Sequence, residues 1–319
     1  MVLGVAVESL RAELVRKTLL KMGLMAPGYR VLREHDTGEV CFPVSAAPPA
    51  GVLGGVRLVH MDFPKELTPP AVRVPFDLIG DIALIKKGFR GVRYKAEAAK
   101  IARVHRNVKT VYVKVGGLQG SERIPELRCV YGPDRSSTVH RENGLRFQVD
   151  VRKAYFNPRL GAERLRVARM VSRGERVLDM FAGVGPYAVT IAKFAGARVD
   201  AVDLNPDAVR LLSANISLNG VEDRVTPIHA DASLLPETMV YDRVVMNLPF
   251  SSLSYVEKAL RICSGVAHVY VAEPKNQAFS KVLSAASSAG VGVNLEASEV
   301  FEYAPRKFVL RIDVQVRDR

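Results

Sequence analysis

The sequence predicts an α/β protein whose C-terminal half is a mostly parallel sheet that ends in an antiparallel hairpin. From about residue 153, predicted strands alternate with predicted helices, and the strands lie at 176–180, 198–202, 224–229, 243–246 and 267–271. Such alternation is typical of a parallel sheet with helices on both faces, a Rossmann-like arrangement. Two β stretches then follow one another directly, at 294–302 and 307–316, which indicates a terminal hairpin instead of another crossover.

Two smaller α/β or α+β domains are predicted ahead of that sheet, because 319 residues exceed the usual size of one domain. The first shows a helical pattern over 9–22. The second combines a predicted buried strand at 78–85 with a basic amphipathic helix at 94–105. A Pro-, Gly- and Ala-rich stretch at 46–55 has no explanation in this scheme. The predicted domains are residues 1–70, 71–152 and 153–319.

Composition limits the classes of function that the chain can have. Its 46 Lys and Arg residues against 33 Asp and Glu give a net charge of +13, which makes a polyanion a plausible partner. The 3 cysteines form no CxxC pair and the 6 histidines show no ligand spacing, so neither a metal site nor a disulfide framework is expected. No apolar run approaches the length of a membrane span and no signal peptide is evident, which favours a soluble, cytoplasmic protein.

The most informative run is VLDMFAGVGP at 177–186, where an apolar strand leads into Asp179, then into two glycines, then into a helix. Gly183 and Gly185 allow the backbone to turn tightly and to approach a ligand at the carboxyl end of the strand. A carboxylate at Asp179 suits a cofactor that carries an ammonium group. A dinucleotide site would instead present GxGxxG to a pyrophosphate.

Acidic residues follow the next two strands as well. Asp203 ends one strand and is placed to accept hydrogen bonds from both hydroxyls of a ribose, whereas Asp231 follows the next, within reach of an adenine amino group. Either residue could instead be a helix cap. Because such sites recur at successive strand ends, the sequence predicts S-adenosylmethionine as the cofactor. The predicted cofactor-binding residues are Asp179, Phe181, Gly183, Gly185, Asp203, Leu204, Asp231, Ala232 and Asn247.

The fourth strand of the domain ends in Asn247-Leu248-Pro249-Phe250. The amide of Asn247 can both donate and accept hydrogen bonds, and Pro249 stiffens the turn that holds it. An aromatic ring at Phe250 can stack on a base, so Pro249 and Phe250 are predicted to bind substrate. This pattern is similar to the Asn-Pro-Pro-aromatic signature of methyltransferases that modify planar nitrogens. The alternative is an ordinary turn at the end of a strand.

Taken with AYFNPRLGAER at 154–164, these motifs resemble those of the archaeal and eukaryotic tRNA (guanine-N1)-methyltransferases that modify position 37, a class I methyltransferase family. The family motifs read close to VYFSPRL-x-x-ER, VDMFAGVGP and NLP, and all three occur here in that order. The resemblance extends to FDLIGDI at 76–82, TVHRENG at 138–144 and EYAP at 302–305. It therefore covers nearly the whole chain.

The resemblance implies roles for four residues. Guanine N1 carries a proton at neutral pH, and Glu163 matches the carboxylate proposed to remove it. Arg141 matches the family arginine that would stabilise negative charge on O6, and it would also bind substrate. Asn247 would hold the edge of the base, and Tyr155 would shape the pocket. Glu163 could instead form ion pairs with neighbouring arginines, and Arg141 and Tyr155 could be structural or face phosphates.

The resemblance also implies that tRNA is the partner. In the family the first domain contacts the tRNA corner, and the second helps to grip the anticodon branch. The basic helix at 94–105 and the charged helix at 9–22 are compatible with those contacts. The target nucleotide would leave its stack to enter the site. No protein partner is implied, and a monomer is the default expectation.

Three other functions remain open at this point, and one of them is a methyltransferase that acts on rRNA or on another tRNA position. A related branch transfers the aminocarboxypropyl group of the same cofactor in wyosine synthesis, although the intact Asn247-Leu248-Pro249 favours methyl transfer. A basic RNA-binding chaperone with a vestigial cofactor site is the non-enzymatic alternative. The sequence does not indicate which tRNAs are preferred, or whether inosine or a wyosine precursor is also modified.

Overall fold

A computed structural model describes residues 1–34, 37–65, 71–86, 93–119 and 124–317. The chain forms two compact units, Met1–Ala71 and Val72–Arg319. The predicted domain boundary after residue 70 falls outside the described residues, and the predicted boundary at 152 stays a prediction. Within the described ranges, no helix combines the length and the apolar character that a membrane span requires.

The first unit is a four-stranded antiparallel sheet covered by one helix. Its elements are β1 Val2–Glu8, α1 Ala12–Lys21, β2 Leu32–Arg33, β3 Glu39–Pro43 and β4 Arg57–Met61. The strands are arranged in the order β2-β3-β1-β4. Val15 and Leu19 of α1 are buried against Val5 and Val7 of β1, which confirms the predicted helix. The sequence patterns missed β1 because four consecutive residues are buried, so polar and apolar residues do not alternate.

The second unit begins with a mixed sheet and a separate hairpin. The sheet has the order β5-β6-β7-β8, with β6 and β7 parallel and joined through a helix. The hairpin pairs β9 with β10. The elements are β5 Phe76–Ile79, β6 Ile82–Ile85, α2 Tyr94–Val104, β7 Thr110–Gln119, β8 Ile124–Tyr131, β9 Ser137–Glu142 and β10 Leu145–Asp150. The predicted helix at 94–105 is therefore confirmed.

The prediction of one strand at 78–85 is wrong. Gly80 has a φ of +55°, a conformation that favours glycine, and the chain reverses there so that β5 and β6 pair as a hairpin. A Cβ atom at Gly80 would also collide with the Thr138 hydroxyl of β9. The continuous apolar run concealed this turn because residues on both sides of it are buried.

The rest of the second unit is a seven-stranded sheet with helices between its strands. Its order is β13-β12-β11-β14-β15-β17-β16; β17 runs antiparallel to both β15 and β16, and the other neighbouring strands are parallel. This confirms the predicted parallel sheet and its terminal hairpin. The elements are α3 Gly161–Met170, β11 Arg176–Asp179, α4 Pro186–Ala195, β12 Arg198–Asp203, α5 Pro206–Asn219, β13 Val225–His229, β14 Tyr241–Met246, α6 Val256–Ile262, β15 Cys263–Val271, α7 Lys275–Ala289, β16 Val293–Ala304 and β17 Lys307–Val316.

Two asparagines of α5 attach the hairpin strand β10 to this part of the unit. The amide of Asn215 bonds to both the backbone N–H and the carbonyl of Gln148, at 2.6 and 3.0 Å. Asn219 does the same to Arg146, at 3.0 and 2.7 Å. The two residues are one helical turn apart and contact alternate residues of the strand, so they satisfy its outer edge as a neighbouring strand would.

Candidate functional site

A cavity of about 400 Å³ opens at the carboxyl ends of β11, β12 and β14. Parallel strands place their carboxyl ends along one edge, so residues distant in sequence meet there. Most of the predicted site residues line this cavity, namely Tyr155, Phe181, Gly183, Asp203, Leu204, Asp231, Ala232, Asn247, Pro249 and Phe250. Asp179, Gly185, Glu163 and Arg141 lie elsewhere.

The two glycines of the 177–186 run, Gly183 and Gly185, have different structural roles. Both have positive φ, +56° at Gly183 and +85° at Gly185. Gly183 lies in the cavity wall, where a Cβ would meet only the Tyr155 carbonyl at 3.7 Å. At Gly185, a Cβ would collide with Leu212 of α5. Gly183 therefore leaves room for a ligand, whereas Gly185 lets α4 begin close against α5.

Asp203 is not the cap of α5. Its Oδ2 accepts a hydrogen bond from the Gly183 N–H at 2.7 Å, and its Oδ1 accepts one from the Asn205 N–H at 2.9 Å. Asn205 caps the helix instead, because its side chain accepts bonds from the N–H groups of Asp207 and Ala208. Backbone groups thus fix the Asp203 carboxylate at the cavity.

Asp231 is both a cap and part of the cavity wall. Its side chain accepts hydrogen bonds from the backbone N–H and the hydroxyl of Ser233, at 2.9 and 2.8 Å, and so caps a short 3-10 turn at Ala232–Leu234. The capping and ligand-binding interpretations therefore do not exclude one another at this residue.

Asp179 lies beneath the cavity and does not line it. It is fully buried, and neither carboxylate oxygen has a hydrogen-bond partner among the described residues. Burial and the neighbouring Asp203 carboxylate raise the pKa of Asp179 to about 7; the nearby amides of Phe181 and Ala188 oppose this only in part, since neither meets hydrogen-bond geometry. A bound cation above it would favour its charged form.

The loop that carries Asn247 is held from below by Ser252. The buried Ser252 hydroxyl donates to the Met246 carbonyl at 2.9 Å and accepts from the Leu248 N–H at 3.2 Å. Within the described part of the chain, the Asn247 amide has no hydrogen-bond partner, so its donor and acceptor both remain available to a ligand.

Aromatic residues from distant segments complete the cavity. The ring of Phe250 meets that of Tyr303 edge to face, with centroids 5.4 Å apart, and Phe181 meets Tyr255 at 5.0 Å. The tail residues Phe301 and Tyr303 of β16 line the wall. Sequence reasoning gave Tyr303 no role beyond its place in the EYAP motif, because no local pattern shows that the terminal hairpin reaches this edge.

Arg164 is a site residue that sequence reasoning missed. Its side chain is 1% exposed and lines the cavity, where it donates to Glu142 Oε2 at 2.6 Å and to the Asn157 carbonyl at 2.7 Å. Phe156 lies against the guanidinium, 4.9 Å from it. The available signal was an arginine at the i and i+3 spacing of the buried residues on α3.

Glu163 lies in a network of ion pairs and does not line the cavity. Its side chain is 10% exposed. Arg166 donates to both carboxylate oxygens at 2.9 Å, and Arg311 of β17 lies 3.2 Å from Oε2. The Tyr270 hydroxyl donates to Oε1 at 2.5 Å, and the Glu163 carboxylate helps to keep the pKa of Tyr270 well above its usual value, although burial is the larger cause. The contact with Arg166 matches the alternative prediction that Glu163 forms ion pairs with neighbouring arginines.

Arg141 is not brought to the cavity. Residues alternate between the two faces of β9, and His140 and Glu142 point toward the protein interior. Arg141 therefore projects from the outer face of the strand. There it lines a second, open cavity of about 840 Å³, together with Arg135 and Arg146. This face could not be assigned from the sequence because the patterns did not predict β9.

The charges of the cavity suit the predicted cofactor. Its described charged lining consists of the Asp203 and Asp231 carboxylates and of Arg164. Helix α4 starts with Pro186, whose ring nitrogen has no proton to offer a phosphate. The residues therefore fit ribose hydroxyls and a cationic group, as S-adenosylmethionine has, better than a pyrophosphate.

Comparison with known proteins agrees with this geometry. Residues 138–294 match the model of the TRM5/TYW2 methyltransferase domain. The tRNA (guanine(37)-N(1))-methyltransferase Trm5b of Pyrococcus abyssi is 35% identical, over 99% of both chains. The tRNA(Phe) (4-demethylwyosine(37)-C(7)) aminocarboxypropyltransferase of Pyrococcus horikoshii is 33% identical, over 67% of this chain and 76% of that one.

A solved structure covers the whole fold. The complex of aTrm5 with tRNALeu superposes with a TM-score of 0.78 at 28% sequence identity. The match covers 99% of this chain and 100% of that one, so it includes both the first unit and the seven-stranded sheet.

Proposed function

The chain belongs to the TRM5/TYW2 methyltransferase family, and on that premise we propose that it methylates N1 of guanosine 37 in tRNA with S-adenosylmethionine as methyl donor. The observation that carries the proposal is the convergence of Asp203, Asp231 and Asn247 on one cavity. Two carboxylates are present for the nucleoside part of the cofactor, and a free amide is present for the edge of a base.

Some residues of the cavity bind the cofactor, and others bind the target base of the tRNA. Asp203 accepts hydrogen bonds from the ribose hydroxyls, and Asp231 accepts one from the adenine amino group. Asn247 holds the edge of the target guanine, with Pro249 and the exposed ring of Phe250 beside it. S-adenosylmethionine, when bound, supplies a methyl group on a positively charged sulfur.

Glu163 is proposed as the group that takes the N1 proton. Its two oxygens accept hydrogen bonds from Arg166, Arg311 and Tyr270, so the role requires that tRNA binding exchange some of these partners. Because catalytic contacts often form only in the substrate complex, the paired state is compatible with that role. Arg164 is the one cation in the described cavity wall and would stabilise charge on O6.

The tRNA partner is proposed from the relatives and from charge. The aTrm5 match is a complex with tRNALeu, and this chain has a net charge of +13. The helices α1 and α2 carry several Lys and Arg residues, so they offer phosphate contacts outside the cavity.

Aminocarboxypropyl transfer is the second candidate function, because the Pyrococcus horikoshii relative has that name. The coverage favours methyl transfer, since that relative matches 67% of this chain and Trm5b matches 99%. The mass of the product nucleoside distinguishes the two reactions. A gain of one CH2 unit identifies methyl transfer, and the larger aminocarboxypropyl gain would overturn it.

The main test is methyl transfer to tRNA transcripts with guanosine or another base at position 37. We expect labelled methyl from the cofactor to appear only in the guanosine transcript. Equal labelling of both transcripts would show that the target lies elsewhere. If the protein binds tRNA and labels none, it is an RNA-binding protein with a vestigial site.

The role of Glu163 has a matched control. We expect Glu163→Gln to lower the methylation rate at saturating tRNA by a factor of about 10² to 10⁴. Glu175→Gln also removes a carboxylate that pairs with a buried arginine, Arg243, but does so at the opposite end of β11. It should lower stability and leave the rate within a few fold. Equal rates in the two variants would exclude Glu163 as the base.

A further inference from the structure

Two arginines stand directly opposite each other on the outer face of the β9–β10 hairpin. Arg141 of β9 is the register partner of Arg146 of β10, and both side chains are exposed. Directly opposed side chains in an antiparallel pair have Cβ atoms about 5 Å apart, and like charges at that spacing repel. The pair therefore weakens the hairpin unless an anion lies between the two guanidinium groups.

The described residues supply no such anion. No carboxylate among them pairs with Arg141, and the only bond of the Arg146 side chain is a long one, 3.3 Å to the Leu218 carbonyl. The cavity beside them, which we name the arginine groove, has Asp81, Arg135, Arg141, Arg146, Gln148 and Leu218 among its lining residues. Its one described carboxylate, Asp81, accepts bonds from Arg135 and Thr138, at 2.7 Å each.

The arginine groove is built on a fixed backbone. Asn215 and Asn219 hold the β10 backbone at Gln148 and Arg146, as described above. The Gln148 side chain has no partner within the described ranges, so it adds a free donor beside the two arginines. The groove therefore combines uncompensated positive charge with a rigid base, and its volume of about 840 Å³ exceeds what one inorganic anion fills.

We propose that the arginine groove binds the phosphodiester backbone of RNA, with Arg141 and Arg146 on neighbouring phosphates. Guanidinium groups form paired hydrogen bonds with phosphate oxygens, and phosphates bound to the two arginines would offset the repulsion between them. The choice of RNA rests on the proposed function. The groove lies outside the cofactor cavity, so it contributes affinity and position rather than chemistry.

The test uses the full-length protein and the double variant Arg141→Ala/Arg146→Ala. We expect tRNA affinity at low salt to fall at least tenfold, and the slope of log Kd against log salt to shrink by about 1.4 to 1.8. The loss should appear in KM for tRNA, with a rate at saturating tRNA within threefold and unchanged cofactor affinity. The matched control is Arg173→Ala/Arg198→Ala, which removes the same charge from exposed sites that line neither described cavity.

Stability separates binding from a structural role. Because the opposed arginines repel, the melting temperature Tm of the double variant should equal or exceed that of the wild type. Arg141→Thr/Arg146→Thr, which places residues favourable in strands, should give the same result. A lower Tm in both variants with an unchanged salt slope would show that the arginines serve the fold, and would overturn the proposal.

Other outcomes also decide the matter. A wild-type salt slope in the double variant excludes phosphate binding here. If the methylation rate of the double variant at saturating tRNA falls more than a hundredfold, Arg141 instead stabilises charge on O6 of the target base, and the proposal is overturned. Inorganic phosphate could raise the Tm of the wild type but not of the double variant, while both bind tRNA with the same affinity. That result would show that the groove binds free phosphate instead of RNA. If the wild type methylates no tRNA, the proposed function fails, but the salt slopes still report on the groove.

Discussion

The two cavities of the second unit hold their charges in opposite ways. In the cofactor cavity, Asp203 and Asp231 accept hydrogen bonds from nearby backbone groups, and Arg164 is buried between Glu142 and the Asn157 carbonyl. In the arginine groove, Arg141 and Arg146 are exposed and have almost no partners among the residues that the structure describes. Fixed charges suit a small ligand of one shape, because they need no reorganisation on binding. Exposed charges with few partners suit a polymer that presents its phosphates in varying positions.

Removing the buried arginine of the cofactor cavity should have the largest effect on stability. Arg164→Ala leaves the Glu142 carboxylate, whose side chain is 7% exposed, without its cation. We expect the free energy of unfolding to fall by about 3–5 kcal/mol. Arg141→Ala in the groove should change it by less than about 0.5 kcal/mol. Urea unfolding of the two variants measures this contrast, and equal losses would contradict it.

A comparable effect is expected from Asp179, but it depends on pH. The pKa of Asp179 in the folded protein is about 7, against an ordinary 3.8, so the folded state keeps a proton that the unfolded chain releases. The protonated Asp179 therefore contributes roughly 4 kcal/mol to the free energy of unfolding. This contribution is fully present below about pH 4 and is lost as the pH rises through 7. Asp179→Asn stays neutral, so it should gain stability relative to the wild type over that range. Unfolding measured between pH 4 and 8 would refute this if the difference stayed constant.

Cofactor affinity gives the smallest of the three effects. Asp203→Asn removes the charge from a carboxylate that the backbone holds in place. We expect the Kd for S-adenosylmethionine to rise by about 10- to 150-fold, equivalent to 1.5–3 kcal/mol for hydrogen bonds to a charged group. Titration calorimetry measures it, with Asp223→Asn, an exposed aspartate outside the cavity, as the control. An unchanged Kd would mean that the fixed carboxylates do not bind the cofactor.

The sequence predicted those parts of the molecule that depend on short-range patterns. Alternating strands and helices predicted the seven-stranded sheet, and its common strand edge predicted that Asp203, Asp231 and Asn247 would meet. Local patterns contained the ion pair of Glu163 with Arg166, three residues along α3, but not its contact with Arg311, which lies 148 residues away on β17. The position of Arg141 also escaped prediction, since the face of a residue is undefined until its strand is known.

One further consequence concerns distance. Helix α5 has its first residues at the cofactor cavity, where Ala208 lines the wall, and its last turn at the arginine groove, where Leu218 does. Its 14 residues span about 20 Å. The helix therefore sets the distance between the cofactor cavity and the arginine groove. Under the proposed function and the proposed phosphate contacts, this distance determines how many nucleotides separate the target guanosine from the phosphates on Arg141 and Arg146.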